Sequence, residues 1–189
     1  MMAGRLFAIV GPSGAGKDTL IEAARDRLPD LVVTKRVITR PTKAGGEDFE
    51  GVTEAEFDRR RDAGAFVIHW QAHGLSYGIP ASIRAELEAG KTVIFNGSRA
   101  ALGRAKAQFE ALEVILITAK PEVLASRLTA RGRETREDIM QRLSRADMSV
   151  PAGLPVHRID NNGALEDAVH QLVTLLGQEA FAPAQSSLS

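Results

Sequence analysis

The apolar run Leu6-Phe7-Ala8-Ile9-Val10 passes without a break into Gly11-Pro12-Ser13-Gly14-Ala15-Gly16-Lys17-Asp18. A short, continuously apolar run that ends at glycine reads as a strand buried on both faces. The glycines let the backbone wrap closely, so that successive N–H groups converge on an anion. A helix expected from Lys17 to Leu28, stopped by Pro29, brings the positive end of its dipole to the same place. Strand, glycine loop and helix in this order form a phosphate-binding unit. In such a unit Lys17 reaches the β- and γ-phosphates of ATP, and Thr19 the α-phosphate. A tight turn with an incidental lysine does not require this spacing. The expected nucleotide site is therefore Gly11, Pro12, Ser13, Gly14, Ala15, Gly16, Lys17, Asp18 and Thr19.

Strand and helix patterns alternate along the rest of the chain. Leu31 to Val37, Phe66 to Gln71, Thr92 to Phe95, Val114 to Thr118 and Val156 to Ile159 read as strands, the last three as buried ones. Helices are expected near 54–62, 80–89, 99–109, 121–130, 136–146 and 164–176. Thr53 and Glu56 fit a capping box at the start of the first of these, and Pro80 fits the first turn of the second. Phe66, Ile68 and Trp70 alternate with Val67, His69 and Gln71, so the first three should share a core face. Thr39 to Gly51 reads as an exposed functional loop. The pattern implies an α/β fold with a central parallel sheet flanked by helices. We expect one domain over 1–181, with an acceptor-binding insertion at 35–89, a lid at 127–145 and a disordered tail at 182–189.

Composition narrows the function. Acidic and basic residues number 24 each, which argues against nucleic-acid or anionic-membrane binding. There is no cysteine, so disulfides, thiolate metal sites and cysteine nucleophiles are excluded. No secretory pattern and no run of 18 apolar residues is present, so a soluble, cytoplasmic protein is expected. Oligomeric state stays open, a homodimer included.

Two positions depart from the usual phosphate loop. Position 18 commonly carries Ser or Thr to hold magnesium, but here it is Asp18. A carboxylate about 4 Å from phosphate is repelled by about 4 kcal/mol at an effective dielectric of 20, so it must face a cation. We therefore expect Asp18 to bind Mg²⁺, directly or through water. The strand Val93-Ile94-Phe95 ends in Asn96, where an acidic residue near the metal is frequent. Either the carboxylate has moved from the strand to the loop, or Asn96 hydrogen-bonds the substrate. Downstream, Arg127, Arg131, Arg133, Arg136, Arg142 and Arg145 surround Gly132. Arginines placed on a hinged lid can stabilise transferring phosphoryl charge, and Arg131 and Arg142 are the first candidates. Arg127 and Arg136 have a structural alternative.

The segments GPSGAGK, Thr39-Arg40-Pro41 with Gly46-Glu47, and RLTARGRETREDIMQRL resemble the guanylate kinases. That resemblance covers most of the chain and implies a P-loop kinase fold with a mobile acceptor domain. It also places Asn161, in Asp160-Asn161-Asn162, near the adenine. The acceptor site departs from the family. His69 stands where a guanine-holding glutamate is usual, and the run Tyr77-Gly78-Ile79-Pro80 lacks a guanine-reading serine. Arg40 is kept, and Lys43 replaces a second arginine.

These departures resemble a narrower family, the ribose 1,5-bisphosphate phosphokinases of bacterial phosphonate breakdown. The shared features are GKD in the loop, GGED at Gly45 to Asp48, WQAHGLSYGIP at Trp70 to Pro80, and NGSR at Asn96 to Arg99. The implied reaction moves the γ-phosphoryl of ATP to the 1-phosphate of ribose 1,5-bisphosphate, giving 5-phosphoribosyl 1-diphosphate and ADP. Under that reading Arg40, Lys43 and Arg99 are phosphate candidates, and Glu47, Asp48, His69, His73 and Tyr77 are ribose candidates. His69 and His73 have a structural alternative, while Trp70 and Phe66 read as core. A nucleoside monophosphate kinase and a non-catalytic interaction module of the same fold are the competing readings.

Overall fold

The computed structural model describes residues 3–42, 47–132, 134–145 and 149–178. Among them, β1 (Arg5–Val10) lies at the centre of a parallel sheet with strand order β2-β7-β1-β8-β9. Its neighbours are β7 (Thr92–Asn96) and β8 (Leu112–Thr118), with β2 (Val32–Val33) and β9 (Val156–Asp160) at the edges. The unbroken apolar character of β1 has a direct cause. Phe7 and Ile9 pack into one layer with α1 (Lys17–Arg27) and α7 (Leu165–Gly177), while Leu6, Ala8 and Val10 pack into the other with α4 (Arg99–Gln108). A strand covered on both faces has no solvent side to be polar.

The insertion forms a second, mixed sheet with order β4-β3-β6-β5. β3 (Arg36–Ile38) runs parallel to β4 (Phe49–Gly51) and antiparallel to β6 (Leu75–Pro80), which forms a hairpin with β5 (Phe66–Ala72). α2 (Glu54–Asp62) covers one face of it. Ile68, Trp70 and Ile79 on the other face join the same core cluster as Leu6, Val93 and Phe95, so the two sheets share apolar packing. α3 (Ile83–Glu88) leads back to β7. α5 (Pro121–Ala130) and α6 (Arg136–Arg145) follow β8 and meet through Ala125, Leu128 and Ile139.

Several sequence expectations are corrected. The strand expected from Leu31 to Val37 is two strands: Val32–Val33 ends the parallel sheet, and after Thr34 and Lys35 the chain enters the second sheet at Arg36. One apolar run thus serves two sheets, and residue pattern alone cannot mark the switch. The loop from Thr39 to Gly51 contains β4, with Phe49 buried. The helix expected from Pro80 starts at Ile83, and Pro80 instead ends β6. Thr53 caps α2 by accepting from the Glu56 N–H at 3.2 Å, but the Glu56 carboxylate pairs with Arg59 and Arg60 rather than closing the box. Of β9 only Ile159 is buried, as befits an edge strand. Ala146 and Lys43 lie outside the described residues, as does the expected tail at 182–189.

The hairpin carries a further difference. A register shift between Phe66 and Ile68 turns Phe66 away from the core cluster and onto α2, where its ring sits 4.7 Å from that of Phe57. The Phe66 ring also covers Gly78, so that a β-carbon there would lie 2.7 Å from its Cδ1. Gly78→Ala should therefore force the ring from its seat and destabilise the fold by about 1–3 kcal/mol. Urea denaturation measures this, and a midpoint equal to that of the unaltered protein would show that the ring has room.

Candidate functional site

Four parallel strands deliver their carboxyl ends to one edge, the place where an open α/β sheet binds ligands. β1 leads into the loop at 11–16, β7 ends in Asn96, β8 in Thr118, and β9 in Asp160 followed by Asn161. Gly14 and Gly16 take left-handed φ values of 84° and 91°, which any side chain would strain. Gly16 heads α1 with no side-chain cap, so the helix N-terminus is left for an anion. One expectation is qualified here: the Ala15 N–H bonds the Pro12 carbonyl at 3.2 Å within the loop.

The loop is held from behind. Asn161 is 3% exposed, and its Nδ2 donates to the Ala15 carbonyl at 2.8 Å. Arg127 donates to the carbonyls of Gly14 (3.2 Å) and Asn161 (2.6 Å). A β-carbon on Gly16 would lie 2.7 Å from the Asn161 amide nitrogen, so glycine is required by contact as well as by φ. Arg127 thus takes its structural alternative. Asn161, expected near the adenine, has its side chain turned into the loop, with Oδ1 buried and unpartnered among the described residues.

Lys17 donates to the Gly11 carbonyl at 2.6 Å, spanning the loop. Burial holds its ammonium below the ordinary lysine pKa; Asp18 and Glu47 oppose that shift, and Arg36 and Arg131 add to it. The charges converging on the lysine are therefore Asp18, Arg36, Glu47 and Arg131. Asn96 links two of them, donating to Asp18 Oδ1 at 3.1 Å and, more weakly, to Glu47 Oε2 at 3.4 Å. Glu47 in turn accepts from both Nε and Nη2 of Arg36. The structure therefore brings Asp18, Asn96 and Glu47 together. Arg36 went unnoticed in the sequence because it sits in an apolar strand pattern; a charge at a position that pattern marks as buried was the available signal.

Behind this chain a cleft of about 230 Å³ runs along α1, lined by Asp18, Glu22, Arg25, Thr34, Asp48 and Asn96 among others. Asp48 pairs with Lys35 at 3.3 Å. Among the described residues no cluster of three or more histidines or carboxylates could hold a metal on its own. A magnesium ion shared between one carboxylate and substrate phosphates needs none.

Other candidates are dispersed. Tyr77 stacks on Trp70, with ring centroids 5.3 Å apart, on the sheet face that meets the core. The guanidinium of Arg40 lies 4.3 Å from the Phe49 ring. Arg99 opens α4, and Thr19 is exposed in the first turn of α1. Arg131 ends α5 beside Gly132, whereas Arg142 pairs with Glu134 at 3.1 Å. His73, with φ 52°, forms the two-residue hairpin turn with Gly74, so its place is explained by the turn. His69 lies between Ile68 and Trp70 and so on the opposite face, toward Arg61 of α2.

Burial first, then Arg104 and Arg61, depress the His69 pKa. The folded state therefore prefers neutral imidazole, while the unfolded chain takes up a proton near pH 6.5. This contribution to stability is full above about pH 6.5 and is lost as pH falls through the lower folded value. His69→Gln should flatten the fall in Tm between about pH 7.5 and 5. Parallel melting curves of the two proteins over that range would refute the assignment.

Comparison with known proteins identifies the family. The guanylate kinase family model matches residues 3–179. A ribose 1,5-bisphosphate phosphokinase PhnN from Agrobacterium fabrum is 50% identical over 178 residues, 93% of this chain and 97% of that one. Its counterpart from Ruegeria is 46% identical, covering 93% of each chain. A guanylate kinase crystal structure from Anaplasma phagocytophilum superposes with a TM-score of 0.68 at 19% identity, over 93% of this chain and 85% of that one, which speaks for the fold alone. The chain belongs to the guanylate kinase family and, within it, to the ribose 1,5-bisphosphate phosphokinases.

Proposed function

We propose that the chain transfers the γ-phosphoryl of ATP to the 1-phosphate of ribose 1,5-bisphosphate, giving 5-phosphoribosyl 1-diphosphate and ADP. Supporting it above all is the full-length similarity to relatives of that name, together with a phosphate loop whose carbonyls are still pinned by Arg127 and Asn161. A non-catalytic module would have no use for a buried amide and an arginine dedicated to loop shape. The setting is a small-molecule reaction. Among the described residues no helix is long and apolar enough to cross a membrane.

An oxygen of the acceptor's 1-phosphate attacks the γ-phosphorus, the bond to the β–γ bridging oxygen breaks, and ADP carries away the electron pair. A phosphate oxygen is already nucleophilic near neutral pH, so no general base is needed. Catalysis then rests on positioning and on neutralising spread charge. Lys17 serves the β- and γ-phosphates, and the loop amides and the uncapped end of α1 serve the rest of the polyphosphate. Arg131, whose charge is felt at Lys17, closes on the transferring group, with Arg142 as a second lid arginine. Asp18 would hold Mg²⁺, with Asn96 orienting its carboxylate through the hydrogen bond to Oδ1. When bound, Mg²⁺ would supply positive charge to offset that of the phosphates. Arg40, Lys43 and Arg99 remain the phosphate candidates for the acceptor, and Asp48 and Tyr77 those for its sugar, while both carboxylate oxygens of Glu47 are taken by Arg36.

With ATP and Mg²⁺ supplied, ADP should appear with ribose 1,5-bisphosphate and not with GMP. Turnover of GMP alone would overturn the proposal, and no turnover of either would favour the interaction module. Asn96→Ala, by freeing the Asp18 carboxylate, should raise the Mg²⁺ concentration for half-maximal rate about 10–100-fold. An unchanged magnesium titration would show that Asn96 does not orient the Asp18 carboxylate for the metal.

A further inference from the structure

Arg36 is only 8% exposed, and among the described residues it is the one charged side chain that is buried. Its guanidinium lies over the stacked aromatic pair, 4.9 Å from the Tyr77 ring centroid and 5.9 Å from that of Trp70. Glu47 grips it through both carboxylate oxygens and is itself only partly buried, with a side chain 16% exposed. Enclosing a permanent cation is costly, and an ion pair rarely recovers more than the desolvation it requires. Stability alone is thus a weak reason for an arginine here.

Position supplies a stronger reason. Arg36 lies on the β3 face shared with Tyr77, and its partner Glu47 is joined through Asn96 to Asp18, next to the phosphate-loop lysine. The indole Nε1–H of Trp70, in the pair that Arg36 covers, is buried with no hydrogen-bond partner among the described residues. A buried donor left unmatched in a folded protein asks for an absent acceptor. Guanidinium recognises phosphate through the same paired N–H bonds it gives a carboxylate, and a dianion attracts it more strongly than a monoanion. The opposed effects of Arg36 and Glu47 on Lys17 agree with their closeness to the transfer centre.

We propose that Arg36 is the residue that selects a sugar bisphosphate as acceptor, binding one of its phosphates in place of Glu47, with Trp70 Nε1 donating to the same group. This deepens the functional reading above and rests on it. Glu47 is the internal counter-anion of the ligand-free site, and on exchange its carboxylate stays within reach of Asn96. The aromatic pair itself is closed to a planar base, because Trp70 is buried in the core and Arg36 lies against both rings.

Calorimetric titration of the whole protein with ribose 1,5-bisphosphate, without nucleotide or magnesium, tests the exchange. Arg36→Met should weaken binding about 10–150-fold, the loss of a charge-assisted hydrogen-bonded contact. In turnover it should raise the acceptor KM while the ATP KM stays within about twofold of its starting value. Glu47→Gln, which removes the competing charge, should tighten acceptor binding even where Arg36→Met fails to fold. A structural ion pair predicts the reverse, with Glu47→Gln binding no better than the unaltered protein, and that result overturns the proposal. Unchanged affinity in a folded Arg36→Met protein overturns it as well. Failure of the underlying reading shows separately, as unaltered protein that turns over GMP and not the sugar bisphosphate, and the proposal then falls with it.

Discussion

With Phe7 and Ile9 in one layer and Leu6, Ala8 and Val10 in the other, β1 has no exposed face, and its carboxyl end becomes a fixed point for the molecule. Burying such side chains contributes roughly 1.5–3 kcal/mol each, so the strand is anchored far more firmly than the loop that leaves it. The loop takes its shape from that anchor and from two supports at its back, Asn161 after β9 and Arg127 on α5. Both act on loop carbonyls, and the uncapped start of α1 is left toward the ligand side.

The second sheet depends on the same core. Ile68, Trp70 and Ile79 join the cluster that holds the parallel sheet, so the second sheet is set against the parallel one by apolar packing. Across this junction runs a polar chain from Asp18 through Asn96 and Glu47 to Arg36. The phosphate loop and the second sheet therefore touch through charge as well as through packing. Such a chain suits phosphoryl transfer, where both substrates are anions and neutralising their mutual repulsion is most of the task.

The likeness to guanylate kinases and the departure from them are separate physical facts. Fold and phosphate loop follow from the parallel sheet and its carboxyl edge. In the proposed reading, acceptor choice rests on a few side chains in the second sheet, where a buried guanidinium and a stacked aromatic pair occupy one face. A change of substrate on this scaffold needs no change of backbone.

Local chemistry was legible in the chain itself. The glycine loop with Lys17, the helix at 54–62 begun by Thr53, and α5 opened by Pro121 rest on steric and capping rules that act within a few residues. So do the apolar runs of β1, β7 and β8. What tertiary structure decided was everything that depends on a partner distant in sequence. It divided 31–37 between two sheets, turned Phe66 toward α2 by a register shift, and put His69 on the outer face and His73 in a turn. It also brought Arg36 to Glu47 and Asn96 to Asp18, 78 positions apart. Whether a charged residue is solvated or enclosed depends on what folds over it, which is why Asp18 announced itself in the sequence and Arg36 did not.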